Sequence, residues 1–490
     1  MRTQAAPPEM PHPPLSNSSR FLPNTRMQGQ CRAMPAARCR AFSAALVLGL
    51  AGLGWCGVAQ SETLAQVFAE AQQHNPALRA SQANYEAALA RVPLARSRLL
   101  PQIAAGASLS DNAQSNSENP LLQKFGFPTN WDYIARDVNL TATQALYRPA
   151  ERIGVNQAEI AARIAYTQWT QDNQDLLVQV ASAYFDVLAA QDTLRSLREQ
   201  SKAIAQQLEA AKHNFAAGNG TIVDVRDAQA RNDLTAAQLI AAQNQIELAR
   251  SALEQLAGKP PGPLAELTPG IRLPALAGSV ETWARTAEET NLAVEQARMA
   301  LDVARLESRK ASAANLPTVD AYARLDRGST SGGSTLFPFG TRAEVASIGV
   351  QVQIPIFTGY AVQSHVQETE HLLDKAQANL DSVRLAAAQS ARAAYFGLES
   401  GRAQVKALEA AIASSQSALQ ANETGYKVGV RVNIDVLNAL SQLFETQRQA
   451  DKARYDVLVN ELKLKYAAGK LRLVDLDAVN ALLQSSRPSE

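Results

Sequence analysis

The chain has 490 residues, enough for two or more ordinary domains. It carries 47 Lys and Arg against 46 Asp and Glu, which excludes the basic excess of a nucleic-acid-binding protein. Aromatic residues make up 6% and alanine is abundant, a balance that favours long packed helices over one large globular core.

Residues 1–59 read as a leader. The first 24 are rich in Pro and Ser and have the composition of a disordered segment. Arg38 and Arg40 then precede the apolar run AFSAALVLGLAGLGW, and Gly57 and Ala59 suit the small positions before a cleavage site. This is the pattern of a secretory signal. A transmembrane anchor is the weaker reading, because the run is rich in Gly and Ala and an amphipathic pattern follows at once. Met27 and Met34 are alternative starts. All three cysteines, Cys31, Cys39 and Cys56, fall in this leader, so the processed chain uses no disulfide and no thiol chemistry. Lipidation at Cys56 needs a small preceding residue, and Trp55 stands there.

Two repeats follow, at 60–259 and 280–472. AYF at 183–185 returns at 394–396, Gly218 at Gly429, Asp224 at Asp435, and AGK at 257–259 returns at 468–470, all at offset 211. Upstream, 146–159 matches 356–369 at offset 210 and 99–111 matches 315–327 at offset 216. The length differences therefore collect between Leu109 and Leu146 and in the counterpart, where exposed loops belong.

Each repeat opens on a helix, predicted over 62–99 and 280–314. The first is interrupted at Pro76, with Asn75 as cap. Strand, loop and strand come next. Ile103, Ala105, Ala107 and Leu109 alternate with polar or small residues, as do Val138, Leu140 and Ala142. In the second copy Val319, Ala321, Ala323 and Leu325 oppose Asp320, Tyr322, Arg324 and Asp326; Ile348, Val350, Val352, Ile354 and Ile356 oppose Gly349, Gln351 and Gln353. Strands of about 9 to 11 residues, apolar on one side only, suit a lipid-facing barrel with a wet lumen. Loops at 118–133 and 328–342 are expected outside. Phe125, Phe127 and Trp131 suit either the lipid interface or packing within the loop.

A very long helix closes each repeat, over 150–218 and 361–428, reaching roughly 100 Å. It stops at glycine, turns, and returns as a helix of about 36 residues. Helices this long need coiled-coil packing, which Ala, Gln and Leu suit. The Pro-rich segment 260–279 crosses between repeats, and 473–490 is expected as a short tail. No run of about 18 apolar residues follows the leader, so no helix spans a bilayer. Open sheet edges are not tolerated in lipid, and four strands are too few for a barrel. The chain must therefore oligomerise, two copies giving eight strands and three giving twelve.

Catalytic chemistry is missing. His365 and His371 lie six residues apart on one helix and do not share a face, so with Glu368 they read as a solvated stripe rather than a metal site. AGK lacks the frame of a phosphate loop. No nucleophile motif occurs, and neither an enzyme activity nor a cofactor is expected.

The two turns carry the remaining signal. FAAGNGTIVDVRDAQ and YKVGVRVNIDVLNAL each place glycine (Gly218 with Gly220, and Gly429) before a polar cap, Thr221 or Asn433. One acid follows, Asp224 or Asp435, near the positive end of the next helix. Both acids also suit a purely structural helix start. Together with the paired AYF and VQVQIPIFTGY, these turns resemble the TolC family of outer-membrane exit ducts, across residues 62–472. The resemblance implies an α+β membrane protein, internally duplicated. Its four transmembrane β-strands complete a 12-strand trimeric barrel, continued by a periplasmic α-helical barrel of coiled coils.

It further implies a homotrimer meeting a periplasmic adaptor (membrane fusion) protein and an inner-membrane ABC transporter. Asp435 matches the family's first acidic constriction position and Asn438 the second, which is not acidic here. Tyr426 and Arg431 fall on closing contacts that reach Asp224, with Val223 in place of a threonine. Gly218, Gly220 and Gly429 fall at the adaptor-facing tips. The chain looks most like type I secretion members, such as the duct for adenylate-cyclase haemolysin export. Small-molecule efflux is the alternative. A structural trimeric envelope protein is the reading from another class, and a soluble periplasmic scaffold fits the strands poorly.

Overall fold

The computed structural model describes residues 61–115, 124–125, 130–268, 271, 277–332 and 339–484. The leader, its three cysteines, Phe127 and the Trp131 side chain lie outside the described residues.

The sheet has four antiparallel strands: β1 (Gln102–Ser115), β2 (Asn130–Tyr147), β4 (Thr318–Thr330) and β5 (Arg342–Gln353), paired in the order β1-β2-β4-β5. They are 12 to 18 residues long, not 9 to 11, and take in the end of the first expected loop and both ends of the second. Register explains the alternation. Ile103 faces Ala142, which faces Ala323, which faces Ile348; Ala105, Leu140, Leu325 and Ala346 form the next row. Directly paired residues share a face, so these rows make one continuous apolar surface. Ile348 on it is 88% exposed. Among the described residues, none covers this face.

The apolar rows end where Arg327 pairs with Glu344 at 3.1 Å. From Val319 to Leu325 they cover roughly 20 Å of strand, with a further ~7 Å to the charged pair. That is close to the lipid-facing band of an outer-membrane barrel, about 25 Å. Exposed aromatics stand beyond both ends, Phe125 and Phe339 on the loop side and Phe357 and Tyr360 on the helix side. The opposite face is polar. Arg324 pairs with Asp326 at 2.6 Å, and the Tyr322 ring lies over Gly349, where a Cβ would come within 2.9 Å of the hydroxyl.

The helical layer repeats the same plan twice. First come α1 (Leu64–His74) and α2 (Pro76–Ser97), then the long α3 (Pro149–Ala216) and its return α4 (Ile222–Ala257). The second copy has α5 (Val280–Thr290), α6 (Leu292–Ala313), α7 (Ala361–Lys427) and α8 (Asn433–Ala467). Each return helix packs along the tip-side half of its long helix, and α2 or α6 takes the sheet-side half. Between repeats, α3 also packs on α8. That contact buries Phe185 of the AYF motif, which stacks on Tyr455 at 5.5 Å, while the buried Tyr184 donates to Glu62 O and Ala265 O.

Two expectations need correction. The helix over 280–314 breaks at Asn291, whose Oδ1 accepts from Ala293 N at 2.9 Å, as Asn75 accepts from Ala77 N. The break is needed because each junction takes the end of a return helix. Gly469 sits so close that a Cβ would be 2.1 Å from Thr290 O, and Gly258 stands likewise against His74. Thr290 Oγ1 and Asn291 Nδ2 donate to Ala468 O and Ala467 O, satisfying the last carbonyls of α8. The C-terminal segment is also more than a tail. Residues 473–480 form α9 (Leu473–Asn480), burying Leu476 and Val479 in the core of α1, α3 and α8. Beyond it, β6 (Leu483–Gln484) pairs with β3 (Glu266–Leu267) of the Pro-rich crossing.

The sheet is tied to the helices by Arg148, at the start of α3, whose guanidinium meets both oxygens of Asp320 on β4 at 2.8 Å. This fork-to-fork geometry fixes direction as well as distance.

Candidate functional site

The site is the pair of turns where α3 passes to α4 and α7 to α8. Both long helices end the same way. Gly218 has φ +77° and Gly429 φ +78°, a conformation that glycine adopts without steric cost. Gly218 N donates to Phe215 O and Asn219 N to Asn214 O; Gly429 N donates to Tyr426 O and Val430 N to Gly425 O. These are paired Schellman closures, which satisfy the last carbonyls of the helix. Gly220 has no positive φ; a Cβ there would press at 3.2 Å on the Asn214 Cβ and the Phe215 backbone nitrogen.

The return helices start differently. Thr221 caps α4: its hydroxyl accepts from Asp224 N at 3.2 Å, and the Asp224 carboxylate accepts from Thr221 N at 3.0 Å and from Thr221 Oγ1 at 2.7 Å. This reciprocal box satisfies two orphan donors. In the second copy Asn433 is not the cap. Val432 holds that place without a side-chain bond, and Asn433 is the first helical residue.

The Asn433 side chain turns inward and is 0% exposed. Its Oδ1 accepts from Gln207 Nε2 at 2.5 Å, and its Nδ2 donates to Asp224 O at 3.1 Å. One amide thus joins α3, α4 and α8. Below it Ile204, Leu208, Ala228, Leu437 and Leu440 form an apolar plug between the repeats.

The expected latch residues gather at this tip with partners of their own. The Asp224 carboxylate is occupied by Thr221. Tyr426 takes a hydrogen bond from Asn214 Nδ2 at 3.1 Å, and Arg431 pairs with Asp435 at 3.6 Å, one turn along. Within the protomer, Tyr426 and Arg431 thus engage Asn214 and Asp435 rather than Asp224, and it is Asn433 that reaches the Asp224 backbone. Asp435 is half-buried in the first turn of α8; Asn438 is exposed and accepts from Arg231 Nη2 of α4 at 2.7 Å. Asn214, Gln207 and Arg231 escaped sequence reasoning, because only the packing of one repeat on the other brings them to the turn.

Among the described residues, no group of His, Cys, Asp and Glu could hold a metal ion, and His365 pairs with Glu368 at 3.1 Å. No described helix is long and apolar enough to cross a membrane.

A family model described as outer membrane efflux protein matches residues 67–259 and 283–470, one match per repeat. The chain is 32% identical over 445 residues to outer membrane protein TolC of Escherichia coli K12, covering 89% of this chain and 88% of that protein. It is 29% identical over 419 residues to the alkaline protease secretion protein AprF of Pseudomonas aeruginosa, covering 84% and 85%. The fold is also that of the CmeC outer membrane channel of Campylobacter jejuni, with a TM-score of 0.72 at 17% identity over 86% of this chain and 89% of that one.

Proposed function

The chain belongs to the outer membrane efflux protein family, and from that premise we propose that three copies close into the exit duct of a type I protein secretion system. As a family member it is an outer-membrane efflux or secretion channel with a tunnel reaching into the periplasm. The proposal adds the trimer, the cargo and the partners.

The observation that carries it is a matched pair of open edges. The sheet ends at β1 and β5, and the helical layer ends at α4 and α7. Lipid does not tolerate open strands, and three copies supply the twelve that leave a channel. The duplication suggests how the helices meet. Phe185 of α3 and Val459 of α8 share one core between repeats. At offset 211 their counterparts are Phe396 on α7, 53% exposed, and Leu248 on α4, 57% exposed. The α3–α8 contact made once more, between α7 of one copy and α4 of the next, closes the ring.

In this ring the six tips gather at the periplasmic entrance. Asp435 and Asn438 form its constriction. Asp224, Tyr426 and Arg431 form the closed-state latch. Gly218, Gly220 and Gly429 present the turns to a periplasmic adaptor (membrane fusion) protein bound to an inner-membrane ABC transporter. The apolar sheet face meets outer-membrane lipid. Opening breaks the tip contacts and splays α7 and α8, a two-state change biased by partners.

Protein cargo is supported by similarity to AprF, named as an alkaline protease secretion protein. The second reading, a small-molecule efflux duct, is favoured by likeness to efflux channels in the same family. Deleting the gene separates them. Loss of a secreted protein from the medium, with unchanged sensitivity to toxic small molecules, supports secretion; the reverse pattern supports efflux. A purified chain that gives no conductance in lipid bilayers overturns the duct itself.

A further inference from the structure

We infer that Arg231 sets the ion preference of the periplasmic entrance, as a cation held at the constriction by Asn438. The inference rests on the reading of Asp435 and Asn438 as that constriction.

Arg231 lies on α4, seven residues after Asp224, two turns along nearly the same face. Its Nη2 donates to Asn438 Oδ1 at 2.7 Å, a bond from the first repeat to the second. Asn438 is exposed and stands one turn beyond Asp435 on α8. An acid at 438 would pair with the guanidinium and cancel its charge. An amide oxygen positions the guanidinium and leaves the charge in place, since guanidinium is not deprotonated in proteins.

Among the described residues, no carboxylate pairs with it. Asp233 takes the Gln229 amide at 2.8 Å, and Asp435 is already faced by Arg431 at 3.6 Å. Around the two turns each protomer carries Arg226, Arg231 and Arg431 beside Asp224, Asp227 and Asp435, so the balance of charge there turns on Arg231. Acidic rings select cations and Arg rings select anions. Asn438 thus does more than dilute an acidic ring: it holds a cation, Arg231, one turn from Asp435. Arg231 shifts the entrance toward small anions and toward acidic segments of a threading chain.

The test is the zero-current potential of the purified full-length protein in planar lipid bilayers under a KCl gradient. Arg231→Gln lowers the chloride-to-potassium permeability ratio by about twofold or more, whereas Arg231→Lys, which keeps the charge, retains it. Asp435→Asn moves the ratio the other way. If Asp435→Asn shifts the ratio and Arg231→Gln does not, the role of Arg231 is overturned and the constriction stands. If neither shifts it, the constriction reading falls and takes this inference with it.

Discussion

Asn433 Nδ2 donates to the backbone oxygen of Asp224 at 3.1 Å, so the first turn of one return helix is tied to the first turn of the other. The amide is fully buried and its other end is taken by Gln207. Replacing it with leucine leaves the Gln207 amide without its partner, at about 1–3 kcal/mol if water cannot reach it, while the Asp224 carbonyl keeps only its bond in the α4 ladder. Asn433→Leu is therefore expected to lower the thermal midpoint and to raise resting conductance in bilayers. Unchanged conductance in a folded variant would show that the tie supports the bundle without guarding the entrance.

Two glycines separate backbone need from mere tolerance. Gly469 has φ +66°, and a Cβ there would lie 2.1 Å from Thr290 O, against the break between α5 and α6. Gly154 lies inside α3 with open space around its Cβ position. Gly469→Ala should destabilise, by more than the ~1 kcal/mol of positive φ alone, because the junction must also move. Gly154→Ala should stabilise by about 0.5–1 kcal/mol, through helix propensity. Denaturant midpoints of both variants against the parent check the sign of each.

Asp186 provides a pH dependence. Burial on α3 raises its carboxyl above the usual value, against the pull of Lys452 and with a further push from Asp456. A carboxyl raised on folding binds its proton more tightly in the folded state. Its penalty is full above the folded pKa and absent below the unfolded one. Asp186→Asn should therefore stabilise the chain at neutral pH, and the gain should disappear as the pH falls through the carboxylate range. Thermal midpoints of parent and variant across pH 3 to pH 8 would sink the idea if the difference stayed constant (the span brackets the ordinary carboxylate range of about 4).

Much of this architecture was legible because the sequence repeats itself. Gly218 and Gly429 marked the helix ends, since only glycine takes that backbone cheaply, and the alternation at 319–325 marked the apolar face of the sheet. The break at Asn291 carries no proline signal, because Leu292 stands where Pro76 flags the first break, although Asn75 and Asn291 share the offset of 216. Asn433 was read as a cap from its position alone. Its true role depends on Gln207, 226 residues away in sequence, and no local pattern encodes that. The docking of α9 is hidden for the same reason: Leu476 and Val479 find their core in segments far upstream.

The ring itself is testable at one contact. Phe396 and Leu248 are exposed in the protomer, while their repeat counterparts Phe185 and Val459 are buried together. If the chain closes by repeating that contact, Phe396 of one copy packs on Leu248 of the next, and each buried side chain contributes about 1.5–3 kcal/mol. Phe396→Asp should then shift purified protein from trimer toward monomer in detergent. The pairing can also be caught directly. In a background with Cys31, Cys39 and Cys56 changed to serine, Phe396→Cys and Leu248→Cys are introduced together. A short bis-maleimide should then link copies into dimers and closed trimers. Neither cysteine alone should do so, because the contact joins two different faces rather than one face to itself. Dimers from either single variant would mean that copies meet face to face, and the ring would have to be rebuilt on another contact.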